Sequence, residues 1–260
     1  MTKRILFLAA AAFAVPAGAA SAAEVAALVG DGTIAILDTD AGRVSATMPV
    51  TGVAGAIAGI DVRPATGVLH ALGTDGAVYT VDLASGAATR ISTLSTMLAD
   101  GVAATVDFNP VADRLRVIGS DGTNLRANVE DGKVTEDGRL AYAEGDAHAG
   151  TAPRVVAGAY TNAYAGTEET VLYDIDEATG ALLRQAPPND GILNTIAVLA
   201  PAAEITAFDI ESDGAGGNRA WVVVGSALHG LDLATGAVGD AMAIDGLEAP
   251  VRDIAVLPAR

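Results

Sequence analysis

The chain has 260 residues, about half of them apolar, with 15 Lys and Arg against 32 Asp and Glu, a formal charge of −17 and no cysteine. A surface this acidic repels phosphate backbones and anionic lipid faces, which argues against nucleic acid or membrane surfaces as partners. The absence of cysteine excludes disulfides, thiol nucleophiles and a lipid-modified cysteine anchor.

The first element in chain order is an export signal over 1–22. MTKR supplies a basic start, ILFLAAAAFAV an apolar stretch and PAGAASA a small-residue exit, the three parts of a secretory leader. Its removal takes away Lys3 and Arg4 and no acid, so the formal charge passes from −17 to −19. No later run approaches the ~20 apolar residues of a membrane helix. Residues 23–260 are therefore read as one exported domain, periplasmic or extracellular and monomeric, long enough for a single all-β core.

From there the chain repeats. Asp38-Thr-Asp-Ala-Gly42, Asp82-Leu-Ala-Ser-Gly86, Asn128-Val-Glu-Asp-Gly132, Asp176-Glu-Ala-Thr-Gly180 and Asp232-Leu-Ala-Thr-Gly236 recur at intervals of 44, 46, 48 and 56 residues. A period in that range marks a repeat architecture. The Asp or Asn can accept a backbone N–H just downstream, and the glycine can take a positive φ, so each copy reads as a hairpin turn. The residues between lack the regular oxygen ligands of a calcium loop. Seven residues upstream of the first three copies stand Asp31-Gly32, Asp75-Gly76 and Asp121-Gly122, each a two-residue hairpin signal.

A further strand precedes each hairpin set. IAGIDVRP, AATVDFNP, VAGAYTN, ITAFDIES and VRDIAVLP align on Asp61, Asp107, Ala159, Asp209 and Ala255. Four strands every 45–50 residues predict a β-propeller of five four-stranded blades, with six or seven shorter blades as the alternative count. The hairpin at Asp38 lacks an inner strand in the mature chain, and VRDIAVLP at 251–258 lacks hairpins after it. Pairing the two ends completes a blade and hides both open edges. The offset from inner strand to turn is 17 in the fourth unit against 21 or 23 elsewhere, which predicts an abbreviated strand there. Residues 139–153 and 186–204 read as long loops between blades, and GAGGN at 214–218 as a hairpin tip.

The segments DFNPVADRLRVIGSDGTNLRANVEDG, DGRLAYAEGD, AYTNAYAG, LYDID and PPNDGILNT, in that order, resemble the secreted bacterial family catalogued as domain of unknown function 4394. The similarity runs from about Val25 to Leu257. It implies a propeller-like exported domain and carries over no catalytic residue. His148, in GDAHAG, stands where the resemblance leads one to expect Asn.

Two groups of residues are candidates for chemistry. Asp61, Asp107 and Asp209 hold the same place in three inner strands bordering the channel, so they either converge on a divalent cation or polar ligand, or bond backbone N–H groups as a repeated structural device. Apart from that cation, no cofactor is evident. The second group lies in RLRVI and NLRAN. Alternation places Arg114 and Arg116 on one face, Arg116 opposite Arg126, and Arg114 opposite Asn128, with Asn124 alongside. Facing arginines need an anion between them, either an internal acid such as Asp107 or Asp113, or an anionic small molecule. His70, His148 and His229 show no zinc spacing, and His70 and His229 lie in apolar strands as core histidines. There is no GxSxG elbow, and no phosphate loop between strand and helix. Two functions remain: a binding or protein-interaction module, and, by analogy of fold alone, a metal-dependent hydrolase or lactonase using the channel carboxylates.

Overall fold

A computed structural model describes residues 23–199, 204–247 and 249–258. The segment read as an export signal lies outside the described residues. Among them no helix is long and apolar enough to cross a membrane.

The chain forms five sheets arranged around a central channel. It begins with β1 (Glu24–Val29), β2 (Thr33–Asp38) and β3 (Arg43–Pro49). Blade 2 is β4 (Ile57–Arg63), β5 (Val68–Gly73), β6 (Ala77–Val81) and β7 (Ala88–Thr93). Blade 3 is β8 (Ala104–Asn109), β9 (Arg114–Gly119), β10 (Asn124–Ala127) and β11 (Val134–Glu136). Blade 4 carries a two-residue strand β12 (Ala141–Tyr142), then β13 (Val155–Tyr160), β14 (Leu172–Asp176), β15 (Ala181–Gln185) and β16 (Ile192–Val198). Blade 5 is β17 (Ile205–Ser212), β18 (Asn218–Val224), β19 (Ala227–Leu231) and β20 (Met242–Ala243). The last strand, β21 (Val251–Val256), returns to pair antiparallel with β1, Ala26 facing Ala255, and supplies the inner strand of blade 1. The ring is a five-bladed propeller closed by its two ends.

Each turn behaves as its residues require. Asp82 Oδ1 accepts the Ala84 N–H at 2.7 Å and Asn128 Oδ1 that of Glu130 at 3.0 Å, satisfying the donors that a turn leaves open. Gly86 and Gly132 close their turns at φ 73° and 70°. A Cβ on either would stand 2.4 Å from Pro49 O or 2.0 Å from Thr93 O of the preceding blade. The glycine thus serves both the left-handed turn and the close approach of neighbouring blades.

Blade 4 departs from the expectation. Its outer strand is the full-length β16, and residues 188–190 form a 3-10 turn leading into it, so 186–204 is not a plain loop and no strand is abbreviated. The segment 139–153 contributes β12, which pairs parallel with β16. The short offset arises because the Asp176–Gly180 turn joins β14 to β15, the second and third strands of the blade. The corresponding turns elsewhere join third to fourth.

Apolar side chains collect between blades. One cluster joins Ile34 and Ala255 of blade 1 to Ile57 and Tyr79 of blade 2. Others join Phe108 to Leu72, Phe208 to Ala159, and Trp221 to Ile254. Inner strands buried on both faces, such as IAGIDVR, follow from this radial packing. Between blades 3 and 4 the apolar cluster around Ile118, Tyr160 and Leu183 shares its space with buried Arg116, Asn124, Asp174 and Gln185.

Candidate functional site

The inner strands run side by side along the channel, and the first three candidate acids lie on them at equivalent positions. Asp61 Oδ2 accepts the Phe108 N–H of the next blade at 2.6 Å, while its Oδ1 accepts Val62 N–H at 2.6 Å. Asp107 Oδ1 accepts Tyr160 N–H at 3.1 Å. Asp209 repeats the Asp61 pattern, taking Val256 N–H at 2.6 Å and Ile210 N–H at 2.6 Å. A fourth acid, Asp253, sits two residues before the aligned Ala255 and reaches Ile60 N–H at 2.8 Å. The junction between blades 4 and 5, where Ala159 stands in for Asp, is tied instead at the rim, by Asn162 N–H to Asn218 Oδ1 at 2.7 Å and Asn218 Nδ2 to Asn162 Oδ1 at 2.9 Å. At four of the five junctions between blades, then, a channel aspartate bonds a backbone N–H of the neighbouring blade.

The same acids also converge. One carboxylate oxygen from each of Asp61, Asp107 and Asp209 lies within 4.8 Å of the other two, and all three side chains are buried. A carboxylate oxygen offers two lone pairs, so one N–H bond does not exhaust it. Asp107 Oδ2 has no hydrogen-bond partner among the described residues. Burial holds the Asp61 and Asp107 carboxyls well above the ordinary aspartate range, and the neighbouring carboxylates add to it. Burial pushes Asp209 up to about 6 and raises Asp253 as well. Three negative charges at this spacing are unfavourable without a positive partner.

The acids line a cavity of about 540 Å³ at the end of the channel where the inner strands exit. Its walls are Val62 in β4 with Pro64 and Gly67 after it, Ala163 to Ala165 from the loop after β13, the Glu211–Gly214 stretch at the end of β17, and Val256 to Pro258. Glu211 and Asp213 add negative charge, and no Lys, Arg or His is among the described residues that line it. The GAGGN hairpin tip forms part of the rim, with Gly214 and Gly216 at positive φ.

The arginine group is placed differently from the acids. Arg116 faces Arg126 across β9 and β10, and a carboxylate does lie between them, but it is Asp137. Arg116 Nη1 meets Asp137 Oδ2 at 2.8 Å, and Arg126 Nε meets the same oxygen at 2.6 Å. Asp107 belongs to the channel, and Asp113 is turned away to Arg63 at 2.5 Å. Arg116 is 2% exposed and spends its remaining donors on Tyr160 Oη, Asn124 Oδ1 and Asn189 Oδ1 at 2.7–3.0 Å. Asn124 in turn donates to Gly138 O and Pro188 O. Arg116 and Asn124 are therefore internal fastenings between blades 3 and 4, while Arg114, Arg126 and Asn128 line a separate concavity.

Asp174, opposite Gly158 on the paired strand, escapes any reading of the sequence. It is fully buried, neither of its oxygens has a hydrogen-bond partner among the described residues, and burial pushes its carboxyl up to about 8 against the partial relief of the Arg116 charge. His70 is a core histidine, its Nδ1 on Val68 O at 2.9 Å and its ring edge-on to Phe108. His229 is half-buried, bonded to Gly239 O, and His148 packs on Tyr142.

Residues 33–255 match the sequence profile of a domain of unknown function, DUF4394. The chain belongs to this family. No curated protein matches it. Among solved structures, a structural genomics protein of unknown function from Bacteroides thetaiotaomicron superposes with a TM-score of 0.55 at 19% identity, covering 91% of this chain and 62% of its own length. A protein of unknown function from Bacteroides caccae gives 0.43 at 13% identity, covering 85% of this chain and 73% of its own. The first likeness concerns the fold. This chain spans less than two thirds of that structure.

Proposed function

We propose that the protein is a ligand-binding module whose site is the acidic channel mouth, and that it takes a small cationic ligand there, a divalent cation being the simplest. The observation that carries this reading is the convergence of Asp61, Asp107 and Asp209 from three blades, within 4.8 Å, at the floor of a cavity whose described lining holds no basic residue. Pockets with a few convergent polar groups and displaced pKa values are the usual places for ligands. The oxygens are those that hard cations select. The rigid ring holds the ligand set without rearrangement, since the three acids are already fixed by inter-blade bonds. The leader-like N-terminal segment and the acidity support binding outside the cytoplasm.

The test is calorimetry of chelator-treated protein with calcium, magnesium and manganese chlorides at pH 5.0 and 7.5, on wild type and Asp107→Asn. Binding should be saturable, stronger at pH 7.5 because protonated acids must release their protons, and weakened about tenfold or more by the substitution. No saturable binding of any of the three cations, or binding indifferent to Asp107→Asn, overturns the reading.

A further inference from the structure

Blade 3 gathers basic residues in a chain that has few. Arg114, Arg116, Arg126, Lys133 and Arg139 are five of the 15 Lys and Arg in the whole sequence, within 26 positions. Strand register arranges four of them in two adjacent rows on the face of blade 3 turned toward blade 4. One row is Arg116, Arg126 and Thr135, paired across β9, β10 and β11. The next row begins at Arg114, across from Asn109 at the end of β8, and continues through Asn128, whose N–H bonds Lys133 O at 2.9 Å.

The inner row is neutralised in part, because the single carboxylate of Asp137 serves both Arg116 and Arg126. In the outer row Arg114 donates through Nη1 to the backbone oxygens of Ala112 and Asp113. Its Nε and Nη2, the Nη1 of Arg126 and the Nδ2 of Asn128 have no hydrogen-bond partner among the described residues. Lys133 pairs with Asp131 at 2.9 Å, on the surface. Four cations in these two rows thus face the carboxylates of Asp137 and Asp131, with Asp113 beside Arg114 held by Arg63, inside a protein of formal charge −17. Arg114, Arg126, Asn128, Asp131, Lys133 and Thr135 line a concavity of about 320 Å³. It opens at the exit end of the inner strands, the same end of the ring as the acidic mouth.

We infer that this concavity is a second binding site, for a small molecule bearing a phosphate or carboxylate group. Arg114 presents its Nε and Nη2 as a forked pair of donors, the geometry that suits both oxyanions, and Arg126, whose own fork is held by Asp137, adds its Nη1. Asn128 and Thr135 supply neutral hydrogen bonds, and Lys133 is a point charge on a flexible stem that can swing from Asp131 to the ligand. Asp131 is then the internal competitor for that lysine. The inference is independent of the channel mouth, whose acids contribute nothing to this pocket.

The test is calorimetry at low ionic strength with inorganic phosphate and with malonate, on wild type, Arg114→Gln, Lys133→Gln, Asp131→Asn and, as a control, the exposed Arg90→Gln on blade 2. Saturable binding of either probe is expected, with the tighter one showing whether the site prefers a tetrahedral or a planar oxyanion. Arg114→Gln should weaken it about tenfold or more and Lys133→Gln severalfold, while Asp131→Asn should tighten it and Arg90→Gln leave it unchanged. All variants should melt with wild type, since none of the four altered side chains is buried. The inference fails if neither probe binds wild type or Asp131→Asn saturably, if Arg114→Gln and Arg90→Gln behave alike, or if Asp131→Asn weakens binding.

Discussion

Replacing Asp174 by Asn should stabilise the protein, and by an amount that depends on pH in a defined way. In the folded ring the carboxyl has no accessible surface and, among the described residues, no hydrogen-bond partner, and burial pushes its pKa up to about 8. In the unfolded chain the same group loses its proton near pH 4. Between those values the folded state carries a proton that the unfolded state has released, so stability falls as pH rises, by about 1.4 kcal/mol per pH unit. At pH 7 the cumulative loss is about 4 kcal/mol. Asparagine is close in shape and ionises in neither state, which removes this dependence. The variant should match wild type near pH 4 and exceed it by up to about 4 kcal/mol at pH 7, or about 8–16 °C in melting temperature for a chain of this size. Urea and thermal melts by circular dichroism at one-unit steps from pH 4 to 8, in chelator, measure the difference directly. A difference that does not grow with pH, or an Asn variant weaker than wild type at pH 8, would refute the assignment of Asp174 as a buried, unpaired acid.

Two further outcomes follow from the packing. Ending the chain after Pro250 removes β21, the inner strand of blade 1, along with buried Val251, Ile254 and Ala255 and the N–H that Asp209 accepts; no folded monomer should remain by size exclusion and circular dichroism, and a truncated protein with an unchanged melt would contradict ring closure. Arg116→Met should cost about 3–5 kcal/mol, because it strands buried Asn124 Oδ1, removes the Arg116 donors to Tyr160 Oη and Asn189 Oδ1 and leaves Asp137 with Arg126 alone; a chemical melt within 1 kcal/mol of wild type would show that the network between blades 3 and 4 is not structural.

Much of the architecture is legible in the chain because its determinants are local. In the five repeated copies, Asp or Asn four residues before Gly produces the same turn, since the side-chain acceptor and the positive-φ residue lie within one hairpin. Repetition of that turn, with an inner strand before it, predicts the blade number. The complementary ends at Asp38 and VRDIAVLP predict closure. Alternation along RLRVI and NLRAN is equally local, and it places Arg116 opposite Arg126 in the observed register.

Counter-ions and phase are a different matter. Asp137 is 21 residues from Arg116 and Asn189 is 73, and neither distance along the chain says that both meet the same guanidinium. Asp107 and Asp113 are closer in sequence, yet the strand sends Asp107 toward Tyr160 of the next blade and the left-handed residue Asp113 toward Arg63. The turn at Asp176–Gly180 has the same Asp-to-Gly spacing as its counterparts but lies one hairpin earlier, which only the pairing of β14 with β15 reveals. Asp253 falls outside the alignment that unites Asp61, Asp107 and Asp209, though it makes the same kind of inter-blade bond. By itself the sequence determined where the chain turns, how many blades it makes and how the ring closes, because each rests on contacts within a few residues or on the pairing of strands. Only the tertiary structure decided which carboxylates neutralise which arginines, which acids share the channel mouth and which acid is left unpaired, because those depend on the faces that neighbouring blades present to one another across the ring.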